Sequence, residues 1–245
     1  MFANSPFCER RLAGTKSVRG DVWLRMDPAR SGLIECLWTD RPLGYRDYAE
    51  WALDAGMFLF KRGDRVIQNS GQSFRSFIAD GYQGERATRG DWKLHLSTLF
   101  PEARLKKTLE LRACDSLSTD LACAVPALFA GLLYDAQALD QVEALSREFS
   151  YAQVSAARPS LVERGLEAEI AGRPARGFAE RVVDIARGGL VRRGCKSPRG
   201  KDESVHLARL SELVSQGRSP ADDLTAGLSP DNPELVAEML RRTAL

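Results

Sequence analysis

ARLKKTLELRACD, residues 103–115, is the stretch on which the fold reading turns. From Thr108 onward it alternates, with Leu109 and Leu111 on one face and Thr108, Glu110 and Arg112 on the other. A period of two is the signature of a strand, whose successive side chains point to opposite sides. Other short strand patterns precede it. Residues 57–60 and 65–67, separated by Lys61-Arg62-Gly63-Asp64, read as a β-hairpin whose turn carries the required glycine. Residues 16–24 alternate around Val18, Val22, Trp23 and Leu24 between Gly14 and Asp27-Pro28, which predicts a further strand. Among these lie short helices. Tyr45, Tyr48, Trp51, Ala52 and Ala55 recur at helical spacing with Gly56 as a stop; Ser73 can cap a helix through Ile78; and residues 91–99 place Trp92, Leu96 and Leu99 on one face before Pro101.

Beyond Asp115 the character changes. Helical patterns cover residues 121–134, 136–149, 178–190, 205–214 and 233–242, and Phe178, Val182, Ile185, Ala186 and Leu190 form a stripe of period 3.6. The polar stretches 193–203 and 215–223 read as loops. Strands early and helices late predict an α+β fold, an antiparallel sheet covered by helices on one face. The expected organisation is one domain over residues 1–245, strand-rich over 1–115 and helix-rich over 116–245.

Composition narrows the function classes. The chain has 245 residues, 44% hydrophobic and 28% charged, enough to build a sizeable core. A net charge of +2 provides no long-range field for nucleic acid or an anionic membrane, so no nucleic-acid or membrane partner is expected and any bound anion must be held locally. No apolar run approaches the ~20 residues of a membrane span, and no basic region followed by an apolar stretch opens the chain; the cytoplasm is the expected compartment. Five widely spaced cysteines without a CxxC pair, and only two histidines, favour free thiols over a disulfide framework or a structural zinc site.

Several residues could carry chemistry. A carboxylate and a guanidinium two apart on one strand face, as Glu110 and Arg112 are, can set a metal-bridged phosphate beside a substrate carboxylate. The same pair could equally be a solvated face whose charges meet each other, the commoner arrangement. Arg19 could grip a phosphate or carboxylate bidentately, or be a surface arginine. His95 lies beside Trp92 and Leu96 and reads as a structural histidine, and His206 is similar. Asn4-Ser5-Pro6 is first a turn signal and second a substrate-contacting loop. Neither GxxxxGK[ST] nor a GxGxxG after a strand occurs, so phosphates would be held through metal and arginine.

The blocks ANSPF (3–7), SVRGDVW (17–23), WKLHLSTLFPEARLKKTLELRACD (92–115) and VPALFAGLLYD (125–135) resemble, in order and spacing, those of plant-type and bacterial glutamate-cysteine ligases. The resemblance covers nearly the whole chain and weakens beyond about residue 190. It implies a glutamine synthetase-like catalytic fold, incomplete at its N-terminus, in which ATP phosphorylates the γ-carboxylate of glutamate and the cysteine amine displaces the phosphate. The γ-glutamylcysteine formed would serve glutathione or ergothioneine synthesis. ATP and Mg are the implied cofactors, with glutamate, cysteine and ATP as small-molecule partners. By the same resemblance Glu110 matches a metal-ligating glutamate and Arg112 an arginine that contacts substrate and acts in catalysis. Arg19 matches the arginine of an SxRSxxW block near the transferred phosphate, and Asn4 and Ser5 match a substrate-binding loop at the edge of the site. The chain reads Arg112-Ala113-Cys114-Asp115 where plant-type members commonly read RGAD, exchanging a small residue and a turn glycine. It is expected to be the C-terminal part of such an enzyme, a poor ligase alone or a non-catalytic remnant with a binding role; a ligase using another amine is the further alternative.

Overall fold

A computed structural model describes residues 1–243 of the chain. It opens with a small hairpin, β1 (Phe7–Cys8) and β2 (Arg11–Leu12), then helix α1 (Val18–Leu24). Next come β3 (Ser31–Gly32), α2 (Tyr45–Asp54), the hairpin β4 (Leu59–Arg62) and β5 (Arg65–Gln68), α3 (Phe74–Asp80), α4 (Arg89–Ser97), β6 (Phe100–Pro101), β7 (Ala103–Leu105) and β8 (Leu109–Leu111). Helices α5 (Thr119–Leu133), α6 (Ala136–Ser146) and α7 (Tyr151–Arg164) follow, then β9 (Glu169–Ile170), β10 (Arg173–Pro174), α8 (Ala175–Arg193), α9 (Ala208–Ser215), α10 (Pro220–Thr225) and α11 (Leu235–Thr243). These elements form two compact units. The first joins Met1–Leu24 to the residues from Cys114 onward, and the second is Arg25–Ala113.

The first unit is built on α5 and α8. The predicted stripe of α8 is buried at Val182, Ala186 and Leu190 and partly buried at Phe178 and Ile185, and with Val183 beside it packs in one core with Leu121, Ala124, Leu128 and Leu132 of α5. Leu207, Leu210, Leu213 and Val214 enter the same core from α9 and the 3-10 turn before it. At the crossing the backbones nearly touch. A Cβ on Gly131 would lie 3.0 Å from the Ala186 Cα, and one on Gly189 2.9 Å from the Gly131 carbonyl carbon, so only glycine fits either position.

The second unit has two small cores. Ile34, Tyr48, Ala52, Ala55 and Leu99 make one; Met57, Phe60, Ile67, Phe74 and Phe77 make the other. The β4–β5 hairpin pairs Phe60 with Ile67 around Gly63-Asp64, and Gly63 takes a left-handed φ of +57°. The Ser73 hydroxyl caps α3 by accepting the Ser76 N–H at 3.1 Å. Thr88 and Asp91 form a reciprocal capping box on α4, where Asp91, 4% exposed, also takes two hydrogen bonds from Arg62 at 2.9 and 3.1 Å.

Two expectations are corrected. Residues 16–24 form no strand: Val18–Leu24 is helical, because the Ser17 hydroxyl accepts the Gly20 N–H at 2.9 Å and Arg19 stacks on Trp23 one turn later. The spacing of Val18 and Val22 fits that period as well as the strand's. The second correction concerns the sheet. The described residues form five separate two-stranded ladders and none wider, and β3–β6 is parallel. Strands of two to four residues offer too few ladder bonds to recruit neighbours, so the α+β character is helices with small ladders. Two helices also lie where none was expected, α7 and α10, the latter beginning within the predicted loop 215–223.

Candidate functional site

In the second unit the chain turns at Lys106–Thr108 and pairs β7 with β8, setting Arg104 directly opposite Glu110. Arg104 donates from Nη2 and Nε to one Glu110 oxygen at 2.6 and 3.0 Å, while Arg112 donates to the other oxygen. A third contact fixes Arg104 from behind, since its Nη1 reaches the Ser97 and Leu99 carbonyls at 3.3 and 3.4 Å. The α4 end that carries Ser97 is the negative end of a helix dipole, a favourable seat for a cation. The Phe100 ring lies 6.0 Å from the Arg104 guanidinium and 5.5 Å from that of Arg112. Hydrogen bonds from Arg104 first, then Arg112, hold the Glu110 carboxyl below its ordinary range. One carboxylate between two guanidiniums leaves a single net positive charge, suited to an anion.

Glu110 and Arg112 thus share a face, as their alternation requires. Arg104 was not singled out by the sequence; the signal for it was the Lys106-Lys107-Thr108 turn, which makes a hairpin of what reads as one strand. One carboxylate by itself does not make a magnesium site. Both Glu110 oxygens carry guanidinium hydrogen bonds, and among the described residues no group of three or more His, Cys, Asp or Glu is placed to hold a metal ion. His95 stacks on Phe74 at 5.0 Å with its Nε2 2.8 Å from the Ala52 carbonyl oxygen, and burial pushes its pKa down, as for a structural histidine.

The first unit gathers the other predicted residues around Asp115, which the sequence reading passed over. One Asp115 oxygen accepts the Asn4 N–H at 2.7 Å and the Ser5 hydroxyl at 2.8 Å, and the other accepts the Ser17 hydroxyl at 3.0 Å. The Asn4 side chain donates to the Ser116 carbonyl at 2.7 Å. Arg19, partly buried, lies with its guanidinium 4.8 Å from the Trp23 ring centroid. Burial pushes the Cys114 thiol up, against the pull of the Met1 amine and Arg19. Asn4 also borders a cavity of 480 Å³, among whose charged walls Arg209, Asp223 and Arg242 pair within the chain and Asp120 accepts the Ser118 hydroxyl. The signal for Asp115 was its position closing the RACD block, and two stretches of chain, one holding Asn4 and Ser5 and the other Ser17, converge on it.

A family model for glutamate-cysteine ligase family 2 matches residues 1–242. Among curated proteins the chain is 34% identical over 227 residues to the chloroplastic glutamate-cysteine ligase A of Oryza sativa subsp. indica, covering 91% of this chain and 45% of that relative. The chloroplastic glutamate-cysteine ligases of Medicago truncatula and Arabidopsis thaliana are also 34% identical, over 91% of this chain and 43% and 42% of their own lengths. The chain therefore spans under half the length of these relatives. Their names overturn the cytoplasmic expectation: the relatives are chloroplastic. A targeting address is a separate sequence signal and is not written in the fold, so composition and core patterning could not report it.

Proposed function

The chain belongs to glutamate-cysteine ligase family 2, and from that premise we propose that it is the part of an ATP-dependent ligase that joins the glutamate γ-carboxylate to the cysteine amine. In the proposed sequence a γ-carboxylate oxygen attacks the terminal phosphorus of ATP and ADP leaves. The cysteine amine then attacks the acyl-phosphate carbon, phosphate departs, and the nitrogen loses a proton. The product, γ-glutamylcysteine, would feed glutathione or ergothioneine synthesis. Negative charge grows on the transferring phosphoryl group and its departing partners, and fixed guanidiniums stabilise such charge without reorganising.

The observation that carries this reading is the Arg104–Glu110–Arg112 arrangement inside the block that resembles the family most closely. Arg112 is assigned to the substrate anion and Arg19 to the transferred phosphate, with Asn4 and Ser5 at the edge of the substrate site. Glu110 is assigned to magnesium by its match to the family's block, a carboxylate having about four lone-pair sites for guanidinium hydrogen bonds and a metal together. Its first task in this proposal is to hold the two guanidiniums in register. A glutamine synthetase-like fold belongs to the same proposal, with the β7–β8 ladder as a fragment of its sheet. The test is phosphate release from ATP with glutamate and a panel of amines, in the protein carrying this chain. Cysteine should stimulate release well above alanine. Equal stimulation by the two would point to a ligase of another amine, and no release with any amine would point to a binding role without catalysis.

A further inference from the structure

Asp115 is 8% exposed and accepts three hydrogen bonds, two of them from serine hydroxyls. Each serine has one proton to give, and each gives it to Asp115. The freed lone pairs then face the first turn of α1: Ser5 Oγ accepts the Arg19 N–H at 3.2 Å and Ser17 Oγ accepts the Gly20 N–H at 2.9 Å. A buried carboxylate thereby orients two hydroxyls, and the hydroxyls pin two of the N–H groups that a helix start leaves without intrahelical partners. Packing closes the arrangement from the other side. The Lys16 and Ser17 N–H groups donate to the Val162 carbonyl of α7 at 3.1 and 3.3 Å, and a Cβ on Gly20 would sit 2.8 Å from a Val162 methyl.

We infer that Asp115 is a positioning residue for Arg19, acting through Ser5 and Ser17 to fix the helical turn from which that guanidinium projects. The inference rests on the proposed phosphate contact of Arg19. Asp115→Asn is the sharp perturbation, because an amide nitrogen cannot accept a hydroxyl proton. One serine must then turn, and its own proton competes with the helix N–H it had been accepting. The Met1 amine also lies in the field of Asp115, and its pull on that amine is opposed by burial. That contact alone would leave the turn and Arg19 untouched by the substitution.

Two readouts on the full chain test this. Amide hydrogen exchange, followed by NMR, should accelerate about tenfold or more in Asp115→Asn at Arg19 or Gly20, whichever amide loses its serine acceptor. Inorganic pyrophosphate binding by calorimetry should weaken about tenfold or more in Arg19→Ala, and by part of that in Asp115→Asn. The double variant should bind no more weakly than Arg19→Ala alone, because the two residues act in series. Additive losses, or unchanged exchange at both amides, would overturn the positioning role. Pyrophosphate binding that is absent in the parent chain, or unaffected by Arg19→Ala, would instead overturn the phosphate assignment, while the exchange readout still judges Asp115. Should Asp115→Asn fail to fold, Ser17→Ala gives the same readouts and Ser17→Thr, which keeps the hydroxyl, should restore them.

Discussion

Replacing Gly189 by alanine should destabilise the first unit, and replacing its neighbour Gly188 should not. Both glycines lie inside α8, where alanine is intrinsically favoured by about 1 kcal/mol, so propensity alone predicts a gain at each. Packing separates them. A Cβ on Gly188 would meet only the guanidinium end of Arg192, 3.2 Å away, which needs to give by only about a few tenths of an ångström beside its partner Asp135. On Gly189 it would lie 2.9 Å from the Gly131 carbonyl carbon and 3.0 Å from the Ala138 Cβ. The nearest atom of all would be the Gly131 carbonyl oxygen, well inside van der Waals contact, so α5 and α8 would have to part by about 1 Å or more, and a gap of even about 0.5–1 Å forfeits a quarter to a half of each dispersion contact it opens. Overpacking of this kind costs about 1–3 kcal/mol, and the helix gain offsets about 1 of it. The expected outcome is a loss of up to roughly 2 kcal/mol for Gly189→Ala against a gain of up to about 1 for Gly188→Ala. Urea unfolding followed by circular dichroism measures both. Two variants of equal stability would refute the close backbone crossing as the reason for glycine there.

Arg104→Ala should let the Glu110 carboxyl titrate closer to its ordinary range, which carbon-detected NMR would register; an unmoved titration would separate Glu110 from Arg104. If the proposed ligase activity holds, Arg112→Ala should lower kcat/KM by more than about tenfold, the ~1.5 kcal/mol of a lost charged contact, and unchanged turnover would dismiss its proposed substrate role. His95 is held neutral by burial, so its pKa falls on folding and the unfolded chain binds the extra proton below about 6.5; stability should decline as pH drops from there, less steeply in His95→Gln. For Asp91, burial pushes the pKa up, but hydrogen bonds from Arg62 and Thr88 outweigh it and the net direction is down. Its contribution is full above the unfolded value near 3.9 and is lost as pH falls through the lower folded value, so Asp91→Ala should cost about 2–3 kcal/mol at pH 7 in thermal melts and flatten the acid limb.

What was legible follows from where periodicity is unambiguous. The α8 stripe, the α2 pattern and the Gly63 turn each carry one dominant signal, and each formed where expected. Helix α1 carries two, since Val18 and Val22 satisfy the helical period while the apolar run Val22-Trp23-Leu24 mimics a strand end, and the deciding cap is the Ser17 hydroxyl. Helix α7 was hidden because it buries only Ala157 fully and holds Pro159 in its interior. Helix α10 announced itself through Ser219, Pro220 and Asp222, a capping box with proline at its first position, yet polar composition around it reads as loop. In the site, the shared face of Glu110 and Arg112 follows from spacing within one strand. Arg104 comes from the facing strand and Asp115 from contacts more than ninety residues apart in sequence, which local patterns do not encode.

Because the first unit takes its N-terminal strands and α1 from one end of the chain and the remainder from Cys114 onward, the second unit interrupts it like a parenthesis. During synthesis Arg25–Ala113 is complete on the tether before its host can close, and nothing in its own two cores has to wait for later residues. The host must hold its opening segment unsatisfied until Asp115 and Val162 have been made, then recapture it across a long span at an entropic cost that grows only slowly with span length. Kinetic vulnerability is therefore expected to concentrate in residues 1–24, the segment that must be recaptured across that span and the one that carries Arg19.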